Sequence, residues 1–192
     1  MKRRRKAAGN WKIYCLNDNK TRLPAAADAV QIRRKNMPSP ELARIALEMK
    51  RSVDKIGSAL IVNDRVDAAL ASGADGVHLG EGDLPVKSAR RLAGKRLIVG
   101  KTVHSLREAR AAAREKIDYV GAGPVFRTPA KKRLKGRGPD FIRKVALIVK
   151  RPVLAIGGIN RNNAGSVLAS GAKCLCLGRA AKDAAMIKAL IR

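Results

Sequence analysis

Short apolar runs of about four to six residues alternate along the chain with longer stretches in which apolar positions recur every three or four residues. The first pattern suits strands buried on both faces, the second amphipathic helices. Strands are predicted near Lys12–Leu16, Ala29–Arg33, Ala59–Val62, Gly76–Leu79, Leu97–Lys101, Tyr119–Ala122, Val153–Ile156 and Cys174–Leu177. Helices are predicted over Pro40–Ile56, Arg65–Ser72, Val86–Leu92, Ser105–Arg114, Pro139–Val149, Arg161–Ser170 and Ala180–Ile191. An internal repeat supports the alternation: residues 71–80 read ASGADGVHLG and residues 169–178 read ASGAKCLCLG, each a helix end, a glycine cap and a buried strand. A looser third copy runs from Ala111 through Glu115 and Lys116 to a strand at Asp118–Gly121.

Repeated helix-to-strand units imply a parallel α/β architecture. Eight strands at this spacing favour a (β/α)8 TIM barrel over a doubly wound open sheet. Only twelve residues lie between Leu16 and Ala29, too few for a helix with two loops, so the first βα unit is expected to be abbreviated. The 192 residues fit one domain, read as a barrel over 11–192 behind a basic tail at 1–10.

Composition narrows the class. Apolar residues make up 46% of the chain and aromatics 3%, so the interior is built from Ala, Val, Ile and Leu and a disordered chain is excluded. No apolar run approaches the roughly 18 residues of a membrane span, and the basic start is followed by no apolar signal core; a soluble cytoplasmic protein is expected. Cys15, Cys174 and Cys176 lack CxxC spacing, and Cys174 and Cys176 read as core residues on one face of a strand. The formal net charge of +27 predicts attraction to polyanions without identifying one.

In a barrel the chemistry is expected just past the C-terminal ends of the strands. After the second strand, alternation puts Gln31, Arg33 and Lys35 on one side, either as a phosphate clamp or as solvated charges at an edge. Asp64 and Asp83 follow the third and fourth strands. Each reads as a helix cap taken singly, and as a pair of hard oxygen ligands for Mg2+ taken together. His104, after the fifth strand, is a candidate general acid–base or a residue that orients its loop. The loop from Gly123 to Gly138 carries Thr128 and Lys131, which can meet an anionic leaving group. Gly157 and Gly158 after the seventh strand, and Gly178 after the eighth, let backbone N–H groups approach a phosphate.

The pieces VQIRRK, IVNDRVDAAL, GADGVHLGEGDLPV, VHSLREA, DYVGAGPVFRTPAKK and AIGGIN together resemble the thiamine-phosphate synthase family and its sister, the thiazole tautomerases, over Lys12 to Gly178. For the synthases the resemblance implies a Mg2+-dependent transferase that joins hydroxymethylpyrimidine diphosphate to thiazole phosphate, giving thiamine phosphate and diphosphate in thiamine biosynthesis. It places Gln31 on the pyrimidine, and Arg33, Lys35 and Asn63 on the diphosphate. Asp64 and Asp83 fall on Mg2+, and Thr102, Thr128 and Lys131 on the pyrimidine and leaving group. Gly158 and the backbone of Leu177 and Gly178 fall on the thiazole phosphate. The chain departs from the family pattern at Thr102 (usually Ser), Glu81 (Gln), Ala130 (Thr) and Gly178 (Ser); Ala130 and Gly178 each remove a hydroxyl.

Three other readings stand beside this one. GKTVHS and KKRLKGRG lean toward a tautomerase using His104, whereas Asp83 in its Asp-Leu-Pro context leans toward the synthase. A degenerate barrel is a further alternative. A nucleic-acid-binding protein would use Lys2–Lys6 and the 131–137 loop, but the chain has one Trp, two Tyr and two Phe with which to stack bases, so incidental binding is the larger expectation.

Overall fold

A computed structural model describes residues 7–17, 23, 25–129 and 135–190. Eight parallel strands close into a barrel in sequence order: β1 (Ile13–Asn17), β2 (Ala29–Ile32), β3 (Ala59–Asn63), β4 (Gly76–Leu79), β5 (Ile98–Val103), β6 (Tyr119–Ala122), β7 (Val153–Ile156) and β8 (Cys174–Leu177), with β8 pairing back onto β1. Helices α1 (Ser39–Lys55), α2 (Val66–Ala71), α3 (Val86–Ala93), α4 (Leu106–Ala113), α5 (Gly138–Ile148), α6 (Ala164–Ala169) and α7 (Ala184–Leu190) connect or follow the strands. Between β1 and β2 only residues 23 and 25–28 are described, and they form no helix. No described helix is long and apolar enough to cross a membrane.

Two predicted helices, those starting at Arg161 and Ala180, begin more than one residue ahead of the observed ones. Arg161–Asn163 form a turn, because Asn side chains take the backbone donors: Asn163 Oδ1 accepts from the N–H of Asn160 and Asn160 Oδ1 from that of Asn162, at 2.8 and 2.9 Å. Before α7, Arg179–Asp183 wind as a 3-10 helix.

The strands are buried on both faces, and alternation sorts their residues into two cores. Ile13, Cys15, Val30, Ile32, Val77, Leu79 and Leu177 belong to the layer between barrel and helices. Ala8, Trp11, Tyr14, Ala29, Ile61, Tyr119, Cys174 and Cys176 fill the barrel itself. The scarce aromatics are concentrated there: Trp11, Tyr14 and Tyr119 meet pairwise with ring centroids 5.5–6.0 Å apart. Glycine supplies the space they need, since a Cβ on Gly100 would overlap the Tyr119 ring.

The N-terminal rim is stapled by three aspartates, each just ahead of a strand. Asp28 accepts the N–H groups of Lys12 and Ile13 at 2.9 and 3.0 Å, Asp75 that of Leu60 at 2.9 Å and Asp118 that of Val99 at 2.7 Å. Each carboxylate also meets a cation from a surrounding helix: Lys188, Lys50 and Arg90 respectively. The candidate site residues belong to the opposite rim, where the strands end.

Candidate active site

Gln31 points into the barrel near its C-terminal end and is 3% exposed, in register with Leu16 and Ile61. Past the end of β2, Arg34 donates to the carbonyl and side chain of Asn17 at 2.8 and 3.2 Å, while Arg33 is half-buried and Lys35 is exposed in the turn that follows. Asn63 ends β3 opposite His78 of β4.

Asp64 follows with φ 65°, a left-handed conformation that Asp tolerates better than most residues and that is sustained only by its surroundings. Its N–H donates to the carbonyl of His78 at 2.8 Å, which binds the β3 end to β4. Neither Asp64 nor Asp83 caps a helix: the cap positions of α2 and α3 are Arg65 and Pro85. Asp83 instead accepts the N–H of Gly80 at 2.5 Å, folding the β4 loop back toward the mouth. The two carboxyls face one another. Burial, then the hydrogen bond and negative charge of Asp83, push the Asp64 carboxyl up to about 7, against the opposing pull of Arg33 and Lys35. Two paired carboxyls with Arg33 and Lys35 beside them suit a divalent ion whose remaining ligands are water and substrate oxygens. No group of three or more His, Cys, Asp or Glu side chains that could hold a metal ion occurs among the described residues.

On the far side, Lys101 reaches the carbonyl of Gly80 at 2.8 Å and pins the same loop. The Thr102 hydroxyl lies 2.7 Å from His78 Nε2. His104 Nδ1 donates to the carbonyl of Gly123 at 2.5 Å, and its own N–H donates to Glu108 at 2.8 Å. Ser105 caps α4, its hydroxyl accepting the N–H of Glu108 at 3.1 Å and donating to the Glu108 carboxylate. These contacts tie His104 to the place where the chain leaves β6.

Past β6, Val125 and Phe126 run beside the end of β7, donating to Ile156 and Gly157 at 2.8 and 3.0 Å. Gly157 and Gly158 have φ of 107° and 65°, and a Cβ on either would collide with the Pro124–Arg127 backbone or the Phe126 side chain. Close packing of the two loops therefore requires glycine there whether or not a phosphate binds. Thr128 is half-buried in the same loop, while Lys131 and Ala130 lie outside the described residues. The Leu177 side chain belongs to the outer core, so only its backbone faces the mouth; Gly178 then opens the 3-10 turn Arg179–Asp183. A cleft of about 510 Å³ bordered by Leu106, Arg137, Phe141 and Lys144 sits to one side, between the starts of α4 and α5, away from the paired carboxyls.

The sequence reading missed His78, which joins Thr102 to the buried Tyr119. Its position two residues after Gly76, on the inward face of β4, was the available signal.

A sequence profile described as thiamine monophosphate synthase matches residues 14–181. A thiamine-phosphate synthase of Methanocella arvoryzae is 45% identical over 159 residues, 81% of this chain and 74% of that protein. The chain belongs to the thiamine monophosphate synthase family. Another member, the thiamine-phosphate synthase of Gloeobacter violaceus, is 44% identical over 79% of this chain, which spans only 44% of that protein's length. A thiamine-phosphate synthase family fold is also seen in the solved thiamine phosphate pyrophosphorylase from Pyrococcus furiosus, with a TM-score of 0.83, 34% identity and coverage of 95% of this chain and 98% of that one. Membership agrees with the resemblance drawn from the strand-end motifs.

Proposed function

We propose that the protein is a thiamine-phosphate synthase, a transferase of thiamine biosynthesis that condenses hydroxymethylpyrimidine diphosphate with thiazole phosphate and releases diphosphate. The carrying observation is the Asp64–Asp83 pair at the barrel mouth, flanked by Arg33 and Lys35, in a chain of this family. In this reading Gln31 orients the pyrimidine at the floor of the mouth. Arg33, Lys35 and Asn63 bind the diphosphate, joined by Thr128 and Lys131 from the loop after β6. Backbone N–H groups of Gly158 and of the Leu177–Gly178 segment receive the thiazole phosphate, with Gly157 setting the turn.

The reaction is a substitution at a benzylic-type carbon. The carbon–oxygen bond to diphosphate breaks, the thiazole nitrogen supplies the electron pair of the new carbon–nitrogen bond, and no protein nucleophile is needed. Most of the catalytic effect then comes from stabilising charge on the departing diphosphate. Asp64 and Asp83 would hold Mg2+, which when bound would supply Lewis-acid neutralisation of that charge. His104 holds the loop after β6 through the Gly123 carbonyl, so its contribution is to loop position rather than proton transfer. The substrates are small soluble phosphates, consistent with a cytoplasmic enzyme; nucleic-acid binding is an incidental effect of charge.

The test supplies both substrates with Mg2+ and measures thiamine phosphate and diphosphate for the wild type and Asp83→Ala. Product is expected, and the substitution is expected to lower turnover at least about 100-fold, the scale of losing a main electrostatic contact. No product at any Mg2+ concentration, together with thiazole isomerisation that is lost in His104→Ala, would support a tautomerase instead.

A further inference from the structure

Inside the barrel a line of hydrogen bonds leads to Thr102, and its other members, Tyr14, Tyr119 and His78, have no part in the catalytic reading. The Tyr14 hydroxyl lies 3.1 Å from that of Tyr119, the Tyr119 hydroxyl 3.0 Å from His78 Nδ1, and His78 Nε2 2.7 Å from the Thr102 hydroxyl. Four strands contribute, and the line passes from the sealed interior to the mouth. Tyr14 and Tyr119 are 2% and 0% exposed, whereas His78 and Thr102 are partly exposed. Glycines on β5 and β6 make room for it: a Cβ on Gly100 would overlap the Tyr119 ring, and one on Gly121 would sit 3.1 Å from His78 Cε1. The His78 and Tyr119 rings lie nearly parallel, with 23° between their planes.

Each hydroxyl carries one hydrogen, and a neutral imidazole carries one on either nitrogen, so the line can be ordered in two directions. In the first, Thr102 donates to Nε2, Nδ1–H donates to Tyr119, and Tyr119 donates to Tyr14. The Tyr14 hydrogen is then stranded, because Tyr119 is the only hydrogen-bond partner of the Tyr14 hydroxyl among the described residues. In the second, Tyr14 donates to Tyr119, Tyr119 to Nδ1, and Nε2–H to the Thr102 oxygen. Every buried hydrogen then has an acceptor, and the one left over belongs to Thr102, at the open end. An unmatched donor is costly in the interior and useful at a binding site, so the second order is favoured. Burial holds both phenols well above their ordinary pKa, which keeps both hydrogens in place.

We propose that Tyr14, Tyr119 and His78 are positioning residues that fix Thr102 as a hydrogen-bond donor, so that this point of the pocket takes an acceptor atom of the substrate, such as a heteroaromatic ring nitrogen, and disfavours an amino group. The identity of the substrate rests on the synthase reading; the proton order is a property of the free protein.

Two measurements test it. The chain has two histidines, so the nitrogen resonances of His78 in the free protein can be separated from those of His104 with a His104→Gln variant. The expected state is neutral His78 with the proton on Nε2; a proton on Nδ1, or a doubly protonated ring at pH 7.5, overturns the proposal. In steady-state kinetics Thr102→Val is expected to raise KM for the pyrimidine diphosphate about tenfold, the scale of one lost hydrogen bond. Its KM for the thiazole phosphate is expected to be unchanged, and Thr102→Ser to behave as wild type. Tyr119→Phe is expected to raise the same KM when Thr102 is present and to add nothing in the Thr102→Val background. Additive effects would overturn the coupling. If the wild type forms no product, the synthase reading fails, and the tautomer of His78 alone decides the proton order.

Discussion

Asp64 concentrates the electrostatic tension of the mouth. An unfolded chain releases an aspartate proton near pH ~4, whereas burial and Asp83 raise the folded Asp64 carboxyl to about 7. Between those values the folded state binds more protons than the unfolded one, so this group's contribution to stability is full below about 4 and lost as pH rises through about 7. Asp64→Asn removes the dependence. In metal-free protein the variant is expected to melt above wild type at pH 8 and no higher than wild type at pH 4, and to lose any rise in Tm caused by Mg2+. A melting-temperature difference that stays constant from pH 4 to pH 8 would contradict the paired-carboxyl geometry. Legibility at this scale was uneven. Asp64 and Asp83 were visible as candidates because acids are scarce and these two fall at neighbouring strand ends, but only the structure separates them from helix caps. The His78 connection was hidden, because it depends on cross-strand register through Gly100 and Gly121.

Among the elements, the strands were the most legible part of the chain, since a run buried on both faces reads as continuous apolar sequence. β4, β6, β7 and β8 fall on their expected residues, and the others shift by one or two. The helix starts were less legible where short side chains or a tight turn compete with the helix, as at Asn160–Asn163 and Arg179–Asp183. The aspartate staples show how elements are joined. Burial alone would raise the Asp28 carboxyl, but the N–H groups of Ile13 and Lys12, together with Lys188, outweigh it and hold it below its ordinary value. Asp28→Ala would leave the N–H groups of Lys12 and Ile13 without their acceptor and take from Lys188 its carboxylate partner, leaving its bond to the Ala26 carbonyl. We expect it to destabilise the fold by about 3 kcal/mol in urea denaturation, with KM for both substrates unchanged in the folded fraction at low temperature. A cost within the ±0.5 kcal/mol of ordinary surface substitutions would mean that the staple contributes little.

For the whole molecule, the net charge of +27 is the most conspicuous property of the chain and the least specific. Lys87, Arg91, Arg107, Arg110, Arg114, Arg143 and Lys144 are exposed on the helical shell, whereas the proposed site uses only a few cations beside two acids. Such a field draws phosphorylated substrates inward and is screened beyond about 10 Å at 0.1 M salt. Raising salt is therefore expected to lower kcat/KM for both substrates while leaving kcat within about twofold, an encounter effect rather than a chemical one. A parallel fall in kcat would place the salt-sensitive charges at the reacting atoms instead. The central claim is that the paired carboxyls and the cations around them couple the two phosphorylated substrates. Its most direct test is the stoichiometry of the wild-type reaction as each component is omitted in turn. Thiamine phosphate and diphosphate should form one for one, and only when pyrimidine diphosphate, thiazole phosphate and Mg2+ are all present; equal product without Mg2+, or none with all three, would contradict the account.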